Sequence, residues 1–162
     1  MSSGSRRTEA GERSAVTSIS SSTPRRPISC MGERTVVLTD RDPRVHDRVD
    51  GAGAVAAHEL DVTDESAVAA VVAQVEADLG GIDVLVVSHG ILTQAPLAQM
   101  STAQWSETLD VDLTSVFVLN RAVLPGMLER GDGRIINVAS QLGIKGGASL
   151  AHYAAARPGS SR

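Results

Sequence analysis

Thr35-Val-Val-Leu-Thr39 is a short apolar run ending at Asp40, and Asp42-Pro43 follows it. That pattern predicts a buried strand turning into a short polar helix. Gly51 and Gly53 break the chain, and residues 54–62 predict a second strand. Thr63 stands where a cap belongs, and Val68, Val71, Val72, Val75 and Leu79 recur at i, i+3/i+4, i+7, the period of a helix that Gly80 and Gly81 stop. Ile82 to Val87 is apolar apart from Asp83, which predicts a strand covered on both faces, and Gly90 lets the backbone turn away beyond it.

The second half keeps the alternation. Ser101-Thr-Ala-Gln104 has the spacing of a capping box, in which hydroxyl and side-chain amide satisfy each other's orphan backbone groups. It opens a long helix carrying Trp105, Leu109, Leu113, Val116, Phe117 and Leu119, which Pro125 is expected to bend or end and which Gly131 to Gly133 close. Arg134 to Val138 reads as the next strand. Strands alternating with helices in this order predict an α/β fold: a parallel sheet with helices on both faces.

Residues 1–30 break this rhythm. They hold nine Ser, five Arg and two Pro without an apolar period, and such a segment cannot offset the entropy of ordering. The expected organisation is a disordered Ser/Arg-rich segment over 1–30 and one domain over 31–162. Ser and Arg richness also suits a transit peptide, but Glu9, Glu12 and the lack of an amphipathic stripe argue against one.

Charge sharpens the division. The net −4 is +3 over residues 1–30 and −7 over residues 31–162. An acidic body repels a phosphate backbone, and with Trp105, Phe117 and Tyr153 as the only aromatics there is no stacking platform for single strands. No nucleic-acid partner is expected. A single cysteine, Cys30, excludes an internal disulfide and a thiolate zinc site, so no metal centre is expected either. The apolar runs fall short of the roughly 20 residues that cross a bilayer. These features together suit a cytoplasmic protein without a membrane partner.

Tyr153 and Arg157 stand four residues apart, so on a helix beginning near Leu150 a phenol and a fixed cation share one face. A neighbouring cation favours the charged form of an acidic group, which suits a tyrosine to proton transfer. Ser140 lies just beyond the preceding strand, where its hydroxyl could hold a substrate oxygen against the phenol. Spacing alone leaves an ordinary surface tyrosine with a chance i+4 arginine open.

From Thr35 onward the chain resembles the short-chain dehydrogenase/reductase family segment by segment. The family's acidic residue after its second strand falls on Asp40, and its Asp-Val after the third on Asp61-Val62. Its Asn-Asn-Ala-Gly stretch falls on Val87-Ser88-His89-Gly90, and its helical asparagine on Asp112. The strand before its catalytic serine reads Gly133-Arg-Ile-Ile-Asn-Val-Ala-Ser140, and Tyr-x-x-x-Lys reads Tyr153-Ala-Ala-Ala-Arg157, thirteen residues after Ser140. The resemblance implies a Rossmann-like doubly wound sheet and hydride transfer between nicotinamide and an alcohol or ketone. Tyr153 would be the acid/base, Ser140 would orient the substrate oxygen, and Arg157 and Asp112 would complete the catalytic group. Asp40, Asp61, Val62, Ser88, Gly90, Tyr153 and Arg157 would contact the cofactor. Asp40 would accept from ribose hydroxyls and repel a 2′-phosphate, which favours NAD over NADP. A small-molecule alcohol or ketone is the implied partner, and the long helix from Ser101 resembles one that packs between subunits, which implies a homo-oligomer.

The family pattern is also broken. No glycine lies between Gly11 and Gly32, so the family's T-G-x-x-x-G-x-G turn is absent. Ser14-Ala-Val-Thr17 lies about where its first strand belongs, but Ser18 to Ser22 follow, and Pro24 and Pro27 interrupt the next helix. Pro158-Gly159 ends the last helix, and two further family strands have no counterpart, so the expected sheet is incomplete at both ends. Without a first strand, the second and fourth would lose their shared neighbour. A join or frame shift near Pro24 and at the end of the chain would account for both breaks. Arg157 and Asp112 stand where the family has lysine and asparagine, and these opposite charges are expected to pair. The alternative to an active oxidoreductase is an inactive fragment of the family, or a binding or oligomerisation module.

Overall fold

The computed structural model describes residues 17–21, 35–52 and 56–157. Ser14 to Val16, Ser22, Pro24, Pro27, Cys30, Gly53 and Pro158-Gly159 lie outside the described residues. Among the described residues five strands form one sheet: β1 (Thr17–Ser21), β2 (Thr35–Asp40), β3 (Ala56–Glu59), β4 (Val84–Val87) and β5 (Arg134–Asn137), in spatial order β3-β2-β1-β4-β5. Six α-helices accompany them there: α1 (Val49–Ala52), α2 (Glu65–Leu79), α3 (Thr102–Leu109), α4 (Ser115–Arg130), α5 (Leu142–Lys145) and α6 (Ala151–Ala156).

The expected gap between β2 and β4 is filled, but by a reversed strand. β2 and β3 run parallel, as do β4 and β5. β1 pairs antiparallel with both neighbours, Thr17 opposite Thr39 and Val87, and Ser21 opposite Thr35. The expectation of disorder across 1–30 thus meets a central strand at Thr17–Ser21. Antiparallel neighbours can join directly, whereas parallel neighbours need a crossover of a dozen or more residues, usually helical, so a sheet closed by a reversed strand asks less of its connections.

Val37 and Leu38, which point to opposite sides of β2, are both buried, as a strand covered on both faces requires. The core lies on the side that α2 and α4 cover. Val68, Val72 and Val75 of α2 meet Val116, Leu119, Val123 and Met127 of α4 over Val37, Leu85 and Val87. The valine period thus becomes the buried face of α2, and Gly80 stops this helix in the left-handed conformation, φ 79°. Its cap is Asp64 rather than the expected Thr63, because the Asp64 carboxylate takes the Ser66 and Ala67 amides, while Thr63 turns back onto Asp61.

The capping box at Ser101 and Gln104 is present. From Thr102 to Arg130 the backbone is one 29-residue helical run, with a wider π-turn at Asp110–Thr114 between α3 and α4. Pro125 lies inside α4 and does not end it; Gly131, at φ 70°, does. Packing of Val116, Leu119, Val123 and Met127 on both sides of the proline outweighs one lost backbone hydrogen bond. By length and composition this run, unlike the short apolar stretches of the sequence, could cross a membrane. Its buried face belongs to the core.

Candidate functional site

The candidate residues gather at the edge where β2, β3, β4 and β5 end. The reversed β1 begins there, at Thr17. On one side of it lie Asp40, Asp61 and Val62. Ser88, Gly90, Asp112, Ser140, Tyr153 and Arg157 lie on the other, so the structure assembles two groups separated by the width of one strand.

Asp40 ends β2 buried, with Oδ1 accepting from the Asp42 amide at 2.9 Å. Asp61 Oδ1 accepts from the Thr63 amide (2.9 Å) and hydroxyl (2.7 Å), and these bonds hold its carboxyl below the ordinary carboxylate value. Val62 packs its side chain against the core. Both carboxylates already stabilise turns at their strand ends.

The second group is tied together more tightly. Asp112, fully buried in the π-turn, accepts from the Ile91 amide at 2.8 Å through Oδ1. Its Oδ2 lies 3.5 Å from Arg157 Nε, so the expected ion pair is present. Burial pushes the Asp112 carboxyl up, and the Ile91 amide, Arg157 and His152 pull it back only in part. Arg157 is 7% exposed. It donates through Nη2 to His89 O at 3.0 Å and through Nη1 to Val138 O at 3.2 Å. Its Cζ lies 5.2 Å from the centre of the Tyr153 ring, a cation–π contact.

α6 begins at Ala151 with Leu150 as its cap, close to where spacing predicts, and it carries Tyr153 half-buried. Ser140 Oγ accepts from the Leu142 amide at 3.2 Å at the start of α5, which leaves the hydroxyl proton for another acceptor. Ser88 is exposed directly after β4. Gly90 has a steric reason to be glycine: a Cβ there would sit 1.7 Å from Arg157 Nη2.

Two histidines escape the sequence reasoning. His89, to which the sequence assigns no role beyond its place in the stretch after β4, is 1% exposed; its Nε2 lies 2.6 Å from Ser115 Oγ and 3.0 Å from Val111 O. The Ser115 hydroxyl itself donates to Val111 O at 2.5 Å, so Nε2 is assigned the ring proton. Desolvation lowers the His89 pKa to about 4. His152, also buried, places Nε2 2.9 Å from Thr93 Oγ1. With Ile91 N on Asp112 and Ala95 N on Ser149 O (2.9 Å), this bond fastens residues 91–95 to the π-turn, to α6 and to the turn that precedes α6. Only the position of His152 next to Tyr153 in an alanine-rich helix could have singled it out.

The implied nicotinamide dinucleotide fits at its two ends. Carboxylates at the ends of β2 and β3 suit ribose and adenine donors, and a phenol and a hydroxyl lie at the other end. Among the described residues the middle has no counterpart of the family's phosphate cradle. A pyrophosphate is held where a strand ends and a helix begins, but β1 ends at the opposite edge of the sheet, beside Thr35. The space beside Gly90 is filled by Arg157.

Comparison with known proteins gives a consistent family. A profile of the short chain dehydrogenase family matches residues 28–161. The 3-oxoacyl-(acyl-carrier-protein) reductase FabG of Vibrio cholerae is 42% identical over 100 residues, covering 62% of this chain and 41% of that protein. Nodulation protein G of Azospirillum brasilense is 45% identical over 101 residues, with the same coverage. Acetoacetyl-CoA reductase of Shinella zoogloeoides is 40% identical over 105 residues, 65% of this chain and 44% of that one. A Burkholderia xenovorans structure assigned to the short-chain dehydrogenase/reductases superposes with a TM-score of 0.71 at 36% identity, covering 76% of this chain and 51% of that one. The matches thus span less than half the length of these curated relatives. With the parallel strand pairs, the ordered motifs and the matched profile in agreement, this chain belongs to the short-chain dehydrogenase family.

Proposed function

We propose that the chain serves as an NAD-dependent oxidoreductase of the short-chain type, interconverting an alcohol and a ketone. The observation that carries this reading is the Arg157 guanidinium seated against both the Tyr153 ring and the Asp112 carboxylate, at the strand-end edge that also bears Ser140. Tyr153 exchanges the proton at the substrate oxygen. The Ser140 hydroxyl, anchored as an acceptor by the Leu142 amide, directs its own proton at that oxygen. Asp40 and Asp61 hold the adenosine end, with Val62 beside it, and Ser88 and Gly90 border the nicotinamide end. The nicotinamide, when bound, supplies the hydride chemistry. The oxoacyl substrates in the names of the Vibrio and Shinella relatives make a short 3-oxoacyl thioester the first ketone to test.

The exposed Phe117, Leu124 and Leu128 of α4 suit a homo-oligomer, and the acidic body of the sequence suits a cytoplasmic enzyme. The test is titration of the purified chain with NADH by nicotinamide fluorescence, followed by turnover of acetoacetyl-CoA. Saturable binding and a fall of about 10²–10⁴-fold in turnover for Tyr153→Phe are expected. Absence of binding at millimolar NADH removes the proposal.

A further inference from the structure

The family resemblance gives Arg157 a place against the cofactor ribose, but its surroundings give it other work. Its donors run in three directions: Nη2 to His89 O after β4, Nη1 to Val138 O after β5, and Nε toward Asp112 in the π-turn of the long helix. A planar guanidinium can span such divergent acceptors, whereas an ammonium acts as a single point. Two neighbours complement it. Gly90 leaves the volume that the guanidinium fills, since a Cβ at that position would overlap Nη2. Asp112 supplies the buried counter-charge while its other oxygen holds the Ile91 amide. Arg157 is also the C-terminal cap residue of α6, the helix that carries Tyr153.

We infer that Arg157 is a positioning residue: with Gly90 and Asp112 it fastens the end of α6 to the segments after β4 and β5, and so fixes the Tyr153 ring, instead of serving as a ribose ligand. This inference rests on the proposed function only for naming Tyr153 as the group that benefits. Exposure of 7% leaves the guanidinium little surface to offer a ligand. It also accounts together for the arginine, the aspartate and the retained glycine.

The test uses the cofactor-free chain, so it gives an answer whether or not NADH binds. Tyr153 is the only tyrosine, and its near-ultraviolet circular dichroism reports how firmly its ring is held. Arg157→Lys keeps the charge and loses the fork; it is expected to lower the unfolding midpoint by at least about 5 °C and to flatten the tyrosine band. Gly90→Ala leaves residue 157 unchanged but displaces the guanidinium, and is expected to give the same signature. Should Arg157→Lys fail to fold, Gly90→Ala alone decides. Wild-type midpoints and tyrosine bands in the folded variants, with only NADH affinity reduced, would overturn the inference and return Arg157 to the ribose.

Discussion

Asp112 Oδ2 and Arg157 Nε lie 3.5 Å apart with both side chains buried, one in the π-turn of the long helix and the other at the end of α6. Because desolvation dominates at Asp112, the pair is no large net stabiliser, but breaking it strands a buried charge. Asp112→Asn keeps an acceptor for the Ile91 amide and removes only the charge. It is expected to cost about 3 kcal/mol in urea unfolding, and Asp112→Ala roughly 1 kcal/mol more through the lost Ile91 bond. Loss of less than about 1 kcal/mol in both variants would show that the guanidinium finds its compensation elsewhere.

His89 makes stability depend on pH. Its folded pKa of about 4 lies below the ordinary 6.5, so between these values the unfolded chain binds a proton that the folded chain does not. Stability is therefore expected to fall as pH drops from 6.5 to 4, by about 3 kcal/mol from this group, and to change no further on its account below that. Asp112 opposes the trend. Its folded pKa is raised, so its contribution is lost as pH rises from 3.8 through the folded value. Asp42, held at about 2, and Asp61 and Asp64, also depressed, lose their contributions only on further acidification, below about 3.8. Urea unfolding at half-unit pH intervals checks this: His89→Gln should flatten the slope between pH 4 and 6.5, and an unchanged slope would place the titration elsewhere.

The sequence speaks clearly where structure is local. The valines of α2, Gly80 and the Ser101–Gln104 box act within one or two helical turns, and each is found as expected. The direction of Thr17–Ser21 is a matter of its pairing with β2 and β4, and no residue of the strand encodes it. His89 is polar and follows a strand, so its text is that of a loop; burial comes from Val111 and Ser115, more than twenty residues away. In the site, the partnership of Asp112 with Arg157 is legible as opposite charges at two family positions. The attachment of Arg157 to His89 O and Val138 O is not, because backbone carbonyls leave no mark in side-chain identity.

Ser101 provides a test on the surface, away from the site. Its hydroxyl accepts from the Gln104 amide at 3.2 Å, and Gln104 Oε1 takes the Ser101 amide at 2.9 Å. Ser101→Ala removes one half of this reciprocal cap and is expected to destabilise the chain by about 1 kcal/mol. Ser101→Gly should cost only a few tenths, since glycine is tolerated at a cap. Equal losses for the two substitutions, measured by urea unfolding, would mean that the helix start is held by packing and not by its cap.

Asp40 governs the proposed preference for NAD over NADP. The residue is buried at the end of β2, and Oδ1 is fixed by the Asp42 amide, so the carboxylate cannot swing aside for a 2′-phosphate without giving up that bond. Two negative groups held within about 4–5 Å near a protein surface repel by a few kcal/mol. Asp40→Asn preserves the acceptor for Asp42 and removes the charge. NADH is therefore expected to bind the wild-type chain more tightly than NADPH, and Asp40→Asn to narrow the ratio by at least about tenfold, chiefly through NADPH. Nicotinamide fluorescence titrations of both proteins with both cofactors measure it. Were the ratio the same in the variant, Asp40 would be only the support of its own turn, and the adenosine end would have to be recognised on the side of Asp61.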